Sequence, residues 1–274
     1  MQTKPVLRAV RWIVSIIILM IFFVPVYWMF LTAVKTMGQC YQTPPSFWTS
    51  TPAWENFSRA LEAIPFWSMF KNSVVVTLGV LICQTVTVIP AAYAFARLRF
   101  RGSRVLFGVT LATMMIPAQL IFLPVFLMFS RTGLINSYAS LILPHATSAF
   151  AIFMLRQTFK QVPEELIEAA RLDHASQWKI MIHVMLPIAR PTLVTLALLT
   201  LITTWSDYFW PFVMTTDNAV RTLPIGVSML RTVDGGVQYP LLMAGNVLLV
   251  VPVLIAFFVA HRHIIKAFTY MGDK

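Results

Sequence analysis

Apolar positions in this chain neither alternate with polar ones nor keep to one helical face. They run in unbroken stretches between widely spaced charges. The stretches free of Lys, Arg, Asp and Glu are 12–34, 72–96, 105–130, 132–155, 191–206 and 235–261. A spanning helix needs about 20 predominantly apolar residues. Five of the six meet that length outright. The fifth in order meets it once Asp207 is placed near the end of its span, because the next charge is Asp217. Six transmembrane helices follow, at about 12–34, 72–96, 105–130, 136–156, 191–214 and 240–262. The strands of an outer-membrane barrel alternate over about ten residues. Segments such as 13–26 are apolar on every side, so the fold class expected is all-α and polytopic.

Composition agrees. Only 11% of the 274 residues are charged and 58% are hydrophobic, where a soluble domain carries roughly a quarter charged residues. Lipid is the solvent that such a surface requires. The net charge of +11 has a topological origin. With six spans and an inner N-terminus, 15 of the 21 basic residues fall on inner segments and 6 on outer ones. Both termini are therefore expected inside, and no nucleic-acid partner need be invoked. The first span is longer than a signal h-region and no small-x-small cleavage site follows it, so it reads as a retained anchor.

The connecting segments carry less information. The outer loop from Lys35 to Lys71 holds Trp48, Trp54 and Trp67, which suit either interfacial anchoring or ligand stacking. Pro117, Pro124 and Pro144 each remove an intrahelical hydrogen bond, as kinked helices around a polar path or ordinary packing would allow. A second outer segment, roughly 215–240, carries Gly235-Gly236 and mixed charge and is long enough to meet a soluble partner. Polar residues on the spans, such as Gln84, Thr85, Gln119, Asn136, Ser148, Ser206 and Asn246, suit a substrate path or helix–helix hydrogen bonds. Cys40 outside and Cys83 within a span are too far apart in depth to bridge, and no metal-type spacing exists.

One inner segment differs from the rest. Pro163 followed by Glu164 and Glu165 is a helix start, with proline at the first position and anions at the positive end of the dipole. Leu166, Ile167, Ala170 and Leu172 are expected on an apolar side, with Glu164, Glu168 and Arg171 elsewhere. A second short helix is expected over 175–184. The pair makes a hairpin at the inner membrane surface that offers a charged face to the cytoplasm.

Glu168-Ala169-Ala170, Asp173, Ala175, Leu186-Pro187 and Pro191 resemble the EAA loop of the permease subunits of ATP-binding-cassette importers. Within them they resemble the carbohydrate branch of maltose, trehalose and glycerol-3-phosphate ester systems. Trp205-Ser206-Asp207-Tyr208-Phe209-Trp210-Pro211 is similar to a stretch near the end of that family's fifth span, and 223–226 to the piece that follows. Asn72-Ser73 and 91–97 also look like it. The resemblance covers nearly the whole chain, taken as one permease domain, 1–274, of the type I importer class. Two departures stand out. His174 occupies a turn where the family has Gly, a residue suited to positive φ. The tail from Ala267 to Lys274 is short for the family.

The resemblance implies a bacterial cytoplasmic-membrane assembly. It would hold two permease subunits, usually non-identical, two cytoplasmic ATPases and an extracytoplasmic solute-binding protein. The hairpin at about 160–187 would couple to an ATPase through Glu168, Ala169, Ala170, Asp173 and His174. Trp205, Asp207 and Trp210 would mark a gate or a partner contact, with Asp207 at the outer interface. No phosphate-cradling Gly-x-x-x-x-Gly-Lys-Ser/Thr loop is present, so ATP and Mg belong to the ATPases, this chain carries no cofactor of its own, and it is not an enzyme. An ion-coupled secondary transporter is the alternative, and it calls for ionisable groups near mid-bilayer. The spans hold none but Asp207.

Overall fold

A computed structural model describes residues 5–232 and 236–269, with side chains over 10–232 and 236–261. Lys4, Arg8, Arg262, Lys266, Lys274, Gly235 and the end of the C-terminal tail fall outside the described residues or the described side chains. Among the described residues every regular element is helical. Three helices are long and apolar enough to cross a membrane, within α1 (Pro5–Ala33), α3 (Phe66–Arg97) and α13 (Tyr239–Thr269). Counting each bent pair as one span raises the number to as many as six.

The chain divides into two compact units, residues 1–66 with 225–252, and residues 67–224 with 253–274. In the first, α1 exposes its apolar length, including Ile17, Leu19, Phe22 and Phe23. That is the pattern of a helix solvated by hydrocarbon. Its end is tied down. Asn56, at the start of α2 (Glu55–Ala63), donates from Nδ2 to the Ala33 and Lys35 carbonyls at 2.9 Å each. Lys35 is buried, donates from Nζ to the Ser46 carbonyl at 2.6 Å, and lies 4.9 Å from the Trp28 ring centroid. Trp48 and Trp54, between α1 and α2, are exposed. Gly245 on α13 permits a close crossing, since a Cβ there would sit 2.4 Å from Leu230 Cδ1.

In the second unit proline and turn residues break what the sequence presents as single spans. α4 (Ser103–Thr113) and α5 (Ala118–Arg131) meet at 97°. Pro117 heads α5 with ψ 134°, off the helical path, and Pro disfavours helical geometry in the residue before it. α6 (Tyr138–Ile142) continues as a 3-10 turn through Pro144 to His145. It meets α7 (Ala149–Lys160) at 42°, where Ser148 caps α7 by accepting from Ala151 N–H. The break is held from outside: Gln84 on α3 donates to the His145 carbonyl at 3.0 Å and accepts from Thr200 at 2.9 Å, and Thr87 donates to the Ala146 carbonyl at 2.8 Å.

α8 (Glu164–Leu172) and α9 (Gln177–Ile188) form the hairpin, followed by α10 (Arg190–Trp205), bent 80° from α9. The second hairpin helix runs to Ile188, four residues beyond the expected end at 184. Its middle, Met181–Met185, is π-helical, with Leu186 N–H bonded to the Met181 carbonyl. The widening lies just before Pro187, which has no N–H to continue the ladder. α11 (Phe209–Met214) and α12 (Leu223–Met229) follow. One core of buried residues joins α3 (Val88, Ala92, Tyr93), α7 (Leu155, Phe159), α8 (Ile167) and α9 (Ile180, Met185).

Candidate functional site: a hairpin clamped to its spans

On α8 the residues at i, i+3, i+4 and i+7, namely Glu165, Glu168, Ala169 and Leu172, are all exposed. Ile167 is buried and Ala170 packs against the core. The residues expected to couple are therefore split: Glu168 and Ala169 face out, while Ala170 supports the helix from within. The expected apolar side is corrected in the same way. Leu166 and Leu172 are 46% and 81% exposed, and Trp178 on α9 is 63% exposed. Helical geometry puts Ile167 and Ala170 on the inner face and Leu172 on the outer one. The outer face is thus mixed, with Glu165 and Glu168 beside apolar surface.

The turn out of α8 has a defined chemistry. Asp173 is the C-cap, and the next residue, His174, has φ +53°. Its N–H bonds to the Arg171 carbonyl at 3.0 Å, and Ala175 N–H reaches the Ala170 carbonyl at 3.0 Å. These two bonds are those of a Schellman motif, which needs a left-handed residue at the position His174 occupies. Gly takes that conformation with no Cβ penalty, whereas His174 carries one. Ser176 then caps α9 by accepting from Lys179 N–H at 3.3 Å.

Sequence reasoning missed the groups that hold the hairpin. Arg97, at the end of α3, bonds from Nη1 to Glu164 Oε2 at 2.6 Å, and from Nη2 to the Phe159 carbonyl at 2.7 Å and to the Val162 carbonyl. Arg171 is the second cation on Glu164, at 3.6 Å. One turn before Arg97, the Tyr93 hydroxyl donates to Gln177 Oε1 on α9 at 2.6 Å. One span thus grips both helices of the hairpin. The only signal in the sequence was the familiar look of 91–97.

The opposite end of α3, about 38 Å away at 1.5 Å per residue, carries Asn72 and Ser73. Asn72 donates to the Ala219 and Arg221 carbonyls at 3.0 Å each and accepts from Tyr138 at 2.6 Å. Ser73 Oγ accepts from Leu223 N–H at 2.8 Å. Near this end a cavity of about 180 Å³ is lined by Val76, Leu141, His145, Thr203, Asp207 and Trp210. Asp207 Oδ1 accepts from Trp210 N–H at 3.3 Å, and Trp210 Nε1 donates to the Ser140 carbonyl at 2.9 Å. Trp205 and Trp210 are buried, while Tyr208, Phe209 and Phe212 are exposed. Of the three residues expected as a gate or partner contact, the two tryptophans thus point inward, and Asp207 and Trp210 meet at one cavity. Of the span polar residues, Gln84 bonds between helices, Asn136 bonds Asp217 and Thr216, and Thr85 and Asn246 bond within their own helices. Cys40 and Cys83 are both free.

Comparison with known proteins agrees over most of the chain. The family described as binding-protein-dependent transport system inner membrane component matches residues 87–270. The arabinooligosaccharides transport system permease protein AraQ of Halalkalibacterium halodurans is 34% identical, over 78% of this chain and 76% of that one. The sn-glycerol-3-phosphate transport system permease protein UgpE of Yersinia pestis is 30% identical, over 91% of each. The lactose transport system permease protein LacG of Rhizobium radiobacter is 28% identical, over 88% of each. In fold, the chain is similar to a bacterial ABC transporter involved in import of the acidic polysaccharide alginate, with TM-score 0.81, 24% identity and coverage of 96% of this chain and 98% of that one. A second alginate transporter structure, in complex with a pentasaccharide-bound periplasmic protein, has TM-score 0.65 at 15% identity and coverage of 93% and 92%. The ion-coupled alternative is set aside: this chain belongs to the binding-protein-dependent transport system inner membrane components, the permeases of ATP-binding-cassette importers, in the branch with the glycerol-3-phosphate and oligosaccharide permeases.

Proposed function

We propose that this chain is one of two permease subunits of an importer that moves a carbohydrate or sugar derivative by alternating access. The relatives, by their names, carry arabinooligosaccharides, glycerol-3-phosphate and lactose. The observation that carries the reading is the hairpin: an outward face of Glu165, Glu168, Ala169 and Leu172, backed by a core continuous with the spans. An ATPase docks on that face, Glu168 supplying the charged anchor. Closure of the ATPases on ATP pushes the hairpin as a rigid lever, and Arg97 and Tyr93 pass the displacement to α3. ATP enters as differential affinity for the closed state, so the permease couples two conformations and hydrolyses nothing.

In this reading the chain has six spans and both termini in the cytoplasm, and it assembles with a non-identical sister permease, two ATP-binding subunits that hold ATP and Mg, and an extracytoplasmic solute-binding protein. Asp207, Trp205 and Trp210 sit at the outer end, where a gate or the binding protein meets the spans. The test is reconstitution of all the subunits in proteoliposomes. Sugar uptake that needs both ATP and the binding protein supports the reading. Uptake driven by an ion gradient, with the ATPases absent, overturns it.

A further inference from the structure

The turn between α3 and α4 and the end of α7 line an open cavity of about 620 Å³ that neither the hairpin nor the outer end explains. Its charged lining is basic: Arg99, Arg104, Arg156 and Lys160, with no acidic side chain among the lining residues. Arg156 and Lys160 are four apart on α7, where like charges repel each other unless an anion lies between them. Glu164, the nearest acid in sequence, is already engaged by Arg97 and Arg171. Arg156 is also held in place. Its Nε donates to the Phe95 carbonyl at 3.0 Å, and its guanidinium carbon lies 3.9 Å from the Phe107 ring centroid. The remaining wall is apolar and exposed, with Phe100 at 40% and Val105 at 69%.

A pre-oriented arginine, three further cations and an adjoining exposed apolar wall fit one kind of molecule: a phosphodiester with acyl chains. We infer that this cavity binds the headgroup of an anionic phospholipid from the inner leaflet, its chains lying along Phe100 and Val105. The inference rests on the reading that the hairpin end faces the cytoplasm, where anionic headgroups meet basic segments and where basic turns also orient the spans. A topological role needs the charges but neither the cavity nor a held arginine. The shared chemistry is the phosphate oxyanion, so free phosphate is the competing source.

The test uses the complete importer purified from membranes, then placed in phosphatidylcholine nanodiscs with or without phosphatidylglycerol. Native mass spectrometry reads the phosphatidylglycerol retained. Arg104→Gln and Lys160→Gln should each lower its affinity about fivefold, and the pair about 25-fold, from the electrostatic share of one basic residue near an anionic surface. Arg59→Gln, in the other unit, should change nothing. Equal loss in Arg59→Gln, or full retention in the double variant, overturns the inference. Displacement of the lipid by inorganic phosphate at millimolar level assigns the cavity to free phosphate and overturns the lipid. Binding-protein-stimulated ATP hydrolysis in pure phosphatidylcholine is read in parallel. If the parent shows none in any lipid, the importer reading fails while the retention data still decide the cavity.

Discussion

Arg97 and Glu164 lie 67 residues apart in the chain and are joined at 2.6 Å, the guanidinium also bonding the Phe159 carbonyl at 2.7 Å. This fastens the end of one long helix to the first turn of the hairpin. The carboxylate is half exposed, whereas the arginine side chain is 11% exposed, so most of the stabilisation lies in the carbonyl bonds. A hydrogen bond to a charged group contributes about 1.5–3 kcal/mol.

Arg97→Ala should therefore weaken the seating of the hairpin by about 3 kcal/mol and lower binding-protein-stimulated ATP hydrolysis about tenfold or more. The amount in the membrane should stay near that of the parent. Glu164→Gln should cost less, about 1 kcal/mol, because solvent screens the pair. A larger effect in Glu164→Gln than in Arg97→Ala would contradict this ranking.

Glu168→Lys should abolish transport without affecting insertion, since it reverses a charge on the exposed face. Uptake and ATPase co-purification are the measurements. Parent-like values of both would remove Glu168 from the coupling face. Leu172→Glu, on the same face, should also reduce co-purification.

His174 tests the turn. With φ +53°, Gly at this position should be neutral or stabilising by less than about 1 kcal/mol, and a β-branched residue destabilising. Stimulated hydrolysis should hold in His174→Gly and fall in His174→Val. Full activity in Val with loss in Gly would contradict this account of the turn, and comparable loss in both would assign the effect to the imidazole.

Asp207→Cys, in a background lacking Cys40 and Cys83, should label with an impermeant thiol reagent from outside. An ionised carboxylate at the bilayer centre costs about 2.5–3.5 kcal/mol on insertion scales, which favours a place near the interface. Labelling from the cytoplasmic side alone would invert the topology proposed.

Cys40 offers a pH test in the first unit. Burial raises its thiol above the ordinary range, and the Lys35 charge only partly opposes this. A raised value means less thiolate at neutral pH, so alkylation of Cys40 should be slow there. It should climb at a pH above that of an ordinary thiol, about 8.5. Lys35→Met should slow it further, by removing the one cation that favours thiolate. Faster alkylation in that variant would show that Lys35 acts by closing access.

Much of this protein was settled by local rules that a linear chain expresses directly. Unbroken apolar stretches require lipid, Pro163 with two glutamates starts a helix, and a turn that Gly usually fills demands a left-handed residue even when it is His174. The tertiary structure decided where the spans break and what holds the hairpin. The 97° and 42° bends depend on Pro117 and on Gln84, bonded to a backbone 61 residues away. Tyr93 finds Gln177 across 84 residues. Ala170 is packed and Leu172 exposed because Ile167 and its neighbours are drawn into a core built from α3, α7 and α9. Periodicity names the two faces of a helix, but only packing against distant elements decides which one turns inward.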